Sequence, residues 1–272
     1  MSNPEQMQAA WDNFASGYDE AVTPFSMRIA EDALQRVDIE PGMRFLDVAA
    51  GGGALSIPAA RRGAEVLATD FSTAMVKRLN VRAREEGLSN VESRVMDGHH
   101  LELEDNTFDI SGSQFGIMLF PDRSRALGEL ARVTKPGGQA LMVVFGPPPK
   151  VEAFAFFFSA MQAAVSGFTP RQESPLFSLQ DTEDLRREMA AAGLQEIRVE
   201  TANYGMEIPS ATHLWDMLTS AAPPIGALVA TLSEEQRAAV QQALDDRLRR
   251  RSEEGHAVLN MQVHIGIGTK SA

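Results

Sequence analysis

Five short runs between Met43 and Phe145 decide the fold: MRFLDVA (43–49), AEVLATD (64–70), VESRVM (91–96), FDISGSQ (108–114) and QALMVVF (139–145). Each is apolar and β-prone, and longer amphipathic stretches separate them. Strands that alternate with helical patterns are joined by crossovers, which require a parallel sheet with helices laid on its faces. The reading is an α/β fold with a doubly wound, mostly parallel sheet, each strand buried by helices on both sides. Ser72 stands at the N-cap of STAMVKRLNVRAREE (72–86), where Met75, Val76, Leu79 and Ala83 recur at helical spacing before Gly87 ends the helix. Lys135-Pro136-Gly137-Gly138 stops RSRALGELARVT (123–134) and turns the chain into the fifth strand.

Beyond Phe145 the rhythm changes. Pro147 to Pro149 lead into the apolar segment VEAFAFFFSAMQAAV (151–165), followed by a polar loop, the helix QDTEDLRREMAAAG (180–193) and a sixth strand, EIRVETANYGMEI (196–208). An insertion then holds THLWDMLTS (212–220), a loop AAPPIG (221–226) and the charged helix SEEQRAAVQQALDDRLRRR (233–251), before AVLNMQVHIGIGT (257–269) supplies a seventh strand. With strand six parallel and strand seven antiparallel, the segments 147–180 and 209–255 both leave the carboxyl edge of the sheet, where open α/β sheets bind ligands. They read as helical lid insertions over one crevice. Residues 1–40 read as an N-terminal helical cap, and 1–272 as a single Rossmann-like domain.

Composition narrows the partners. A 44% hydrophobic and 23% charged chain of 272 residues is an ordinary cored protein. Its 37 Asp and Glu against 25 Lys and Arg leave a net charge of −12, a field that repels phosphate backbones and anionic membranes, so no nucleic acid is expected. The absence of cysteine removes disulfides, thiolate nucleophiles and Cys-ligated metal, and fits a reducing compartment. The start, MSNPEQMQAAWDNFASGYDE (1–20), lacks the basic and apolar regions of a secretory signal, and Glu152, Gln162 and Ser166 break the apolar stretch around 154–168. These features lead us to expect a cytoplasmic protein without stable membrane insertion.

The chemistry concentrates at strand ends. FLDVAAGGGALS (45–56) is a strand running into a glycine turn that opens a helix, where backbone can approach a ligand and free N–H groups face it. Asp70 ends the second strand 19 positions beyond Gly51, where its carboxylate can accept from the two hydroxyls of a ribose. Both NAD and S-adenosylmethionine meet that requirement. Three features favour the sulfonium compound. Asp47, just before the turn, tolerates an ammonium group but repels a pyrophosphate. Ser56 occupies the place where the dinucleotide fingerprint needs glycine or alanine. Asp97, after the third strand, could accept from an adenine amino group. Against this, any one of the three aspartates could serve only as a turn or N-cap residue.

LDVAAGGG, ATDFSTAMV, MDGHHLELEDNTFDI and FGIMLFPDRSRALGELARVTKPGGQALMVVF, in that order and spacing, resemble the class I S-adenosylmethionine-dependent methyltransferases, most of all their ubiquinone/menaquinone C-methyltransferase branch. The resemblance covers residues 11–146 well and 175–269 loosely. It implies that Asp47, Ala49, Gly51 and Gly53 surround the methionine moiety and that Asp70 holds the ribose, with Phe71 or Met75 beside the adenine. It further implies that Asp97, Gly98 and His99 line the adenine edge, that Ser113 and Gln114 close the pocket, and that Tyr18 belongs to a segment folding over the cofactor. S-adenosylhomocysteine would be the product. Ala49 and Ala50 replace the family's frequent Gly-Cys pair, so the turn at Ala49 is expected to avoid strongly positive φ. The 209–255 insertion is a second departure.

A sulfonium methyl is already activated, so the protein need only align an acceptor and exclude water. If a base is needed, His99, His100 and His213 are the candidates; His256 and His264 read as structural, and no metal site is expected. Phe154, Phe156, Phe157 and Phe158 form an aromatic helix that reads either as core plus homodimer contact or, through Phe154 and Phe158 with Phe115, Met118 and Trp215, as an apolar acceptor pocket. Arg247, Arg249, Arg250 and Arg251 are balanced by nearby acids and read as a solvated helix face. The combined expectation is a methyltransferase acting at carbon or oxygen of a small, largely apolar molecule. The rivals are a dinucleotide-dependent oxidoreductase and a non-catalytic nucleoside-binding protein.

Overall fold

In the computed structural model, which describes residues 4–169, 174–251 and 256–271, the five runs become β1 (Arg44–Val48), β2 (Glu65–Asp70), β3 (Val91–Val95), β4 (Phe108–Gln114) and β5 (Thr134–Phe145). With β6 (Leu194–Ile208) and β7 (Ala257–Lys270) they form a seven-stranded sheet in the order β3-β2-β1-β4-β5-β7-β6. The pairs among β1 to β5 are parallel, and β7 runs antiparallel to both β5 and β6. Strand six is therefore parallel to strand five, as the position of the two insertions requires.

The helices are α1 (Pro4–Ala21), α2 (Thr23–Ala33), α3 (Ser56–Arg61), α4 (Thr73–Glu85), α5 (Arg123–Val133), α6 (Glu152–Ala164), α7 (Thr182–Ala191), α8 (Ala211–Ala221), α9 (Pro223–Ala230) and α10 (Glu234–Arg251). Local chemistry starts them where it should: Ser72 Oγ accepts from the Met75 N–H at 3.1 Å, and Asp122 and Asp181 cap α5 and α7 in the same manner. Met75, Val76, Leu79 and Ala83 are the buried residues of α4. The centre of the sheet is mostly apolar, with Phe45, Leu46, Leu141 and Val143 at 0% exposure, and each such side chain contributes about 1.5–3 kcal/mol by burial.

Three expectations are corrected. Among the described residues no helix joins β3 to β4, so β3 is a partly exposed edge strand rather than one buried on both faces. The connecting loop is pinned by polar contacts instead: the Leu101 N–H donates to Glu129, and Arg132 donates to the carbonyls of Leu101 and Leu103. The segment AAPPIG is not a loop. Pro223 and Pro224 occupy the first turn of α9, where a missing N–H costs nothing and the fixed φ suits a helix. Strand five starts earlier than its apolar run, because Thr134 already pairs with Phe108 and the next residues form a register shift in which Lys135 Nζ meets Asp109 at 2.5 Å.

Helix α10 buries Val240, Leu244 and Leu248 at four-residue spacing and packs on α6. Of its basic run, Arg249 pairs with Asp245, Arg251 reaches Glu152 of α6 and Arg247 donates to the Ser159 carbonyl; Glu253 and Glu254, also expected to balance the run, lie outside the described residues. Among the described residues no helix is long and apolar enough to cross a membrane, and no three His, Cys, Asp or Glu side chains are grouped to hold a metal.

Candidate cofactor and acceptor site

Asp47 is the next-to-last residue of β1, and its neighbours across the sheet are Ala68 and Gly112, which take little space. Its carboxylate is 1% exposed. Oδ2 accepts from Ser56 Oγ at 2.6 Å, while Oδ1 has no hydrogen-bond partner among the described residues. Gln114, the last residue of β4, donates through Nε2 to the Ser26 carbonyl at 2.8 Å, which fixes the orientation of its amide. Its Oε1 is likewise buried and unpartnered. Asp47, Gln114, Tyr18, Ala49, Gly51 and Phe115 all border one small hollow at the carboxyl edge.

Two buried acceptors without donors cost about 1–3 kcal/mol each, more for a charge, unless a ligand satisfies them. A group carrying several N–H bonds and a positive charge fits that donor deficit. The electrostatics agree: burial pushes the Asp47 carboxyl up to about 7, against the Ser56 hydrogen bond, with the negative Asp70 adding to the rise. Ser56, considered in the sequence only as a break in the dinucleotide fingerprint, orients this carboxylate.

Asp70 is also buried, and both its oxygens are engaged: Oδ2 accepts from the Gly51 N–H at 2.9 Å and Oδ1 from the Ser72 N–H at 2.8 Å. It thus ties the glycine turn to the start of α4, and each oxygen keeps a lone pair for another donor. Burial raises its carboxyl to about 6, against the two backbone hydrogen bonds, with Asp12 raising it further. The Tyr18 hydroxyl is held well above the usual tyrosine range by burial and by Asp70, and its ring lies 3.7 Å from where a Cβ on Gly51 would stand.

Ala49 is a correction. It adopts φ +57°, the left-handed conformation the sequence was expected to avoid, at a cost of about 1–2 kcal/mol for a residue with a Cβ. The turn needs that geometry whether glycine or alanine supplies it. Phe115 also sits at φ +57°, with its ring stacked on Phe145 at 4.5 Å. For a bulky side chain this is an outlier of the kind that concentrates at functional sites.

The structure does not bring Asp97 into the hollow. Its exposed carboxylate accepts from the His99 N–H at 2.9 Å and meets His99 Nδ1 at 2.8 Å. Burial alone would raise it, but the His99 contacts and Arg125 hold it below the usual carboxylate range. His99 Nε2 lies 3.4 Å from the Asp122 N–H, so both ring nitrogens are occupied in the turn. Gly98 is buried against Val48 and Phe120, and the Ser113 hydroxyl accepts from the Ile117 N–H at 3.1 Å. His100 and His213 are exposed, and neither borders the hollow. His264 is buried between Thr201 and the Gln180 carbonyl, and His256 pairs with Glu207, consistent with structural duty.

The apolar candidates do come together. From Phe115 a chain of ring contacts runs through Phe145 (4.5 Å), Phe154 (5.7 Å), Phe158 (6.5 Å) and Phe157 (5.6 Å) to Trp215 (6.1 Å). Met118 is buried in the same core. Phe145 and Phe177, which complete the cluster, were not singled out in the sequence; the end of an apolar strand looks like core, and Phe177 lies in an irregular segment.

Residues 46–142 match the family described as "Methyltransferase domain". An uncharacterised protein of Mycobacterium tuberculosis is 35% identical over 51% of this chain and 47% of its own length, so the chain spans about half of that relative. A demethylmenaquinone methyltransferase of Corynebacterium urealyticum is 29% identical over 75% of this chain and 92% of its own. Among solved structures, the YcgJ protein of Bacillus subtilis superposes with a TM-score of 0.58 at 19% identity, covering 91% of this chain and 99% of that one. The match to that domain family covers residues 46–142, the relatives align with this chain in part, and the superposition shows a shared fold.

Proposed function

We propose that the chain transfers a methyl group from S-adenosylmethionine to a carbon or oxygen atom of a small, largely apolar molecule. The observation that carries this reading is the pair of buried, unpartnered acceptors, Asp47 Oδ1 and Gln114 Oε1, bordering the glycine turn. Together they suit the ammonium of the methionine moiety. The same pair would repel the pyrophosphate of a dinucleotide. Asp70 would receive the ribose hydroxyls through its remaining lone pairs, and Tyr18 would cover the cofactor from α1. Phe71, Met75, Gly98 and Asp97 would contribute around the adenine from the rim.

When bound, S-adenosylmethionine supplies a methyl group already activated by its sulfonium. The chain's own part is to position and to keep water out. Phe115 lines the hollow on one side and stacks into the aromatic cluster on the other, so an acceptor held among Phe154, Phe158 and Trp215 would approach across it. Alignment of this kind supplies roughly 7–11 kcal/mol in favourable systems. Because no histidine borders the hollow among the described residues, the reading favours an acceptor atom that is nucleophilic on its own, such as an enolate, a phenolate or an electron-rich carbon. The name of the Corynebacterium relative supports an apolar acceptor; the 209–255 insertion argues for one of different shape.

Calorimetric titration with S-adenosylmethionine, S-adenosylhomocysteine and NAD tests the cofactor. Both sulfur ligands should bind and NAD should not; NAD binding alone would overturn the reading. Transfer of labelled methyl from the cofactor into a metabolite extract tests catalysis, and binding without any transfer would leave only a nucleoside-binding protein.

A further inference from the structure

Helix α1 has two working faces. On one, residues at three- and four-residue spacing reach the glycine turn and α4. Gln8 Nε2 donates to the Phe71 carbonyl at 2.8 Å, Asp12 accepts from Ser72 Oγ at 2.6 Å and from the Ala74 N–H at 3.0 Å, and Asp19 pairs with Arg82 at 2.5 Å. Ala9, Asn13, Ser16 and Glu20, on the solvent side, are all exposed. The remaining face carries Phe14 and Gly17, one helical turn apart, and it packs on α8 and α9.

That second contact is interlocked. A Cβ on Gly17 would stand 2.5 Å from the Ser220 carbonyl oxygen of α8, and one on Gly226 of α9 would run into the Phe14 ring. Glycine is unfavourable inside a helix. Here one glycine on each side lets the helices approach more closely than any other residue would. The same α8 carries Trp215, whose ring rests on Phe157 of the aromatic cluster. Trp11 of α1 packs edge-on against the Tyr18 ring at 5.8 Å.

We propose that α1 mechanically links the two halves of the crevice, with Gly17 and Gly226 as positioning residues, so that a ligand held under Tyr18 sets the position of the α8–α9 roof and of Trp215. The proposal rests on the cofactor reading above only for the identity of that ligand. It makes the acceptor side dependent on prior occupancy of the cofactor side, because the helix that covers one is the helix that seats the other.

Hydrogen exchange on the full chain tests it. Without ligand, Asp19→Asn should weaken the hold of α4 on α1 and speed exchange roughly tenfold in α1 and also in α8–α9, within the range of ordinary coupling free energies, while β1 to β5 stay unchanged. Loosening confined to α1 would overturn the link. Gly226→Ala should loosen the same two regions, and the second change Phe14→Leu, which makes room for the added methyl, should restore them; a Gly226→Ala variant that matches the wild type would overturn the proposal. With S-adenosylhomocysteine present, the wild type should gain protection in α8–α9 and Gly226→Ala should bind but gain none there. Protection of α1 without α8–α9 in the wild type would also overturn it. Failure of S-adenosylhomocysteine to bind would sink the cofactor reading alone, since the ligand-free comparison decides the link by itself.

Discussion

The two walls of the crevice are built differently. The β1–β4 side is defined by a few polar atoms held on rigid backbone: Asp47 fixed by Ser56, Gln114 fixed by Ser26, and Asp70 fixed by two N–H groups. The roof side is a run of packed rings from Phe145 to Trp215. Unsatisfied polar atoms specify the charge and hydrogen-bonding of a ligand, whereas close-packed apolar surface specifies little beyond size and shape. The polar wall therefore carries the cofactor proposal, and the roof says little about the acceptor.

Effect on cofactor affinity measures how separate the walls are. The largest change is expected for Asp47→Asn, which removes the charge proposed to face the ammonium. S-adenosylhomocysteine affinity should fall by about 10²–10³-fold, the scale for breaking one side of a buried charged pair, as read by calorimetry. The same substitution should alter stability in the opposite sense. The Asp47 and Asp70 carboxyls titrate at about 7 and about 6 in the folded chain, above the ~3.9 of an unfolded aspartate. The folded state therefore binds more protons between those values, and the ligand-free protein loses stability as pH rises through that window. Wild-type Tm should drop from pH 5 to pH 8, and Asp47→Asn should flatten much of that drop.

Cofactor affinity should itself rise with pH, by up to about tenfold per unit, until Asp47 is ionised near 7. Gln114→Leu removes a neutral acceptor and should cost about tenfold in affinity. On the roof, Phe154→Ala should leave cofactor affinity within about twofold while raising the acceptor KM and lowering stability by ~3–5 kcal/mol. Equal loss of both affinities would mean that the cluster is only core. Ala49→Gly should have the smallest consequence, a gain of about 1 kcal/mol in unfolding free energy from relieved left-handed strain with both affinities unchanged.

The same contrast explains what was legible beforehand. β1, β2, β3 and β4 lie within a residue or two of the apolar runs that announce them, and Ser72 caps α4 as its spacing requires. The place of Asp47 at the hollow follows from its position at the end of β1, just before the glycine turn. Asp97, two positions before His99, instead caps its own turn, which the same residue type serves equally well. The orphaned Oε1 of Gln114 depends on Ser26, 88 positions away, and the latch between Asp19 and Arg82 spans 63. No local pattern encodes such pairings. The left-handed Ala49 was missed because propensity argues against it, and the fold overrode propensity.

Asp70 is a poorer probe than Asp47, because its removal would also release Gly51 and Ser72. The most direct measurement is a crystal structure of the full chain with S-adenosylhomocysteine. The account predicts the ligand's amino group within hydrogen-bond distance of both Asp47 Oδ1 and Gln114 Oε1, under a covering Tyr18. An amino group held elsewhere, with those two oxygens still unpartnered or bridged by water, would contradict it.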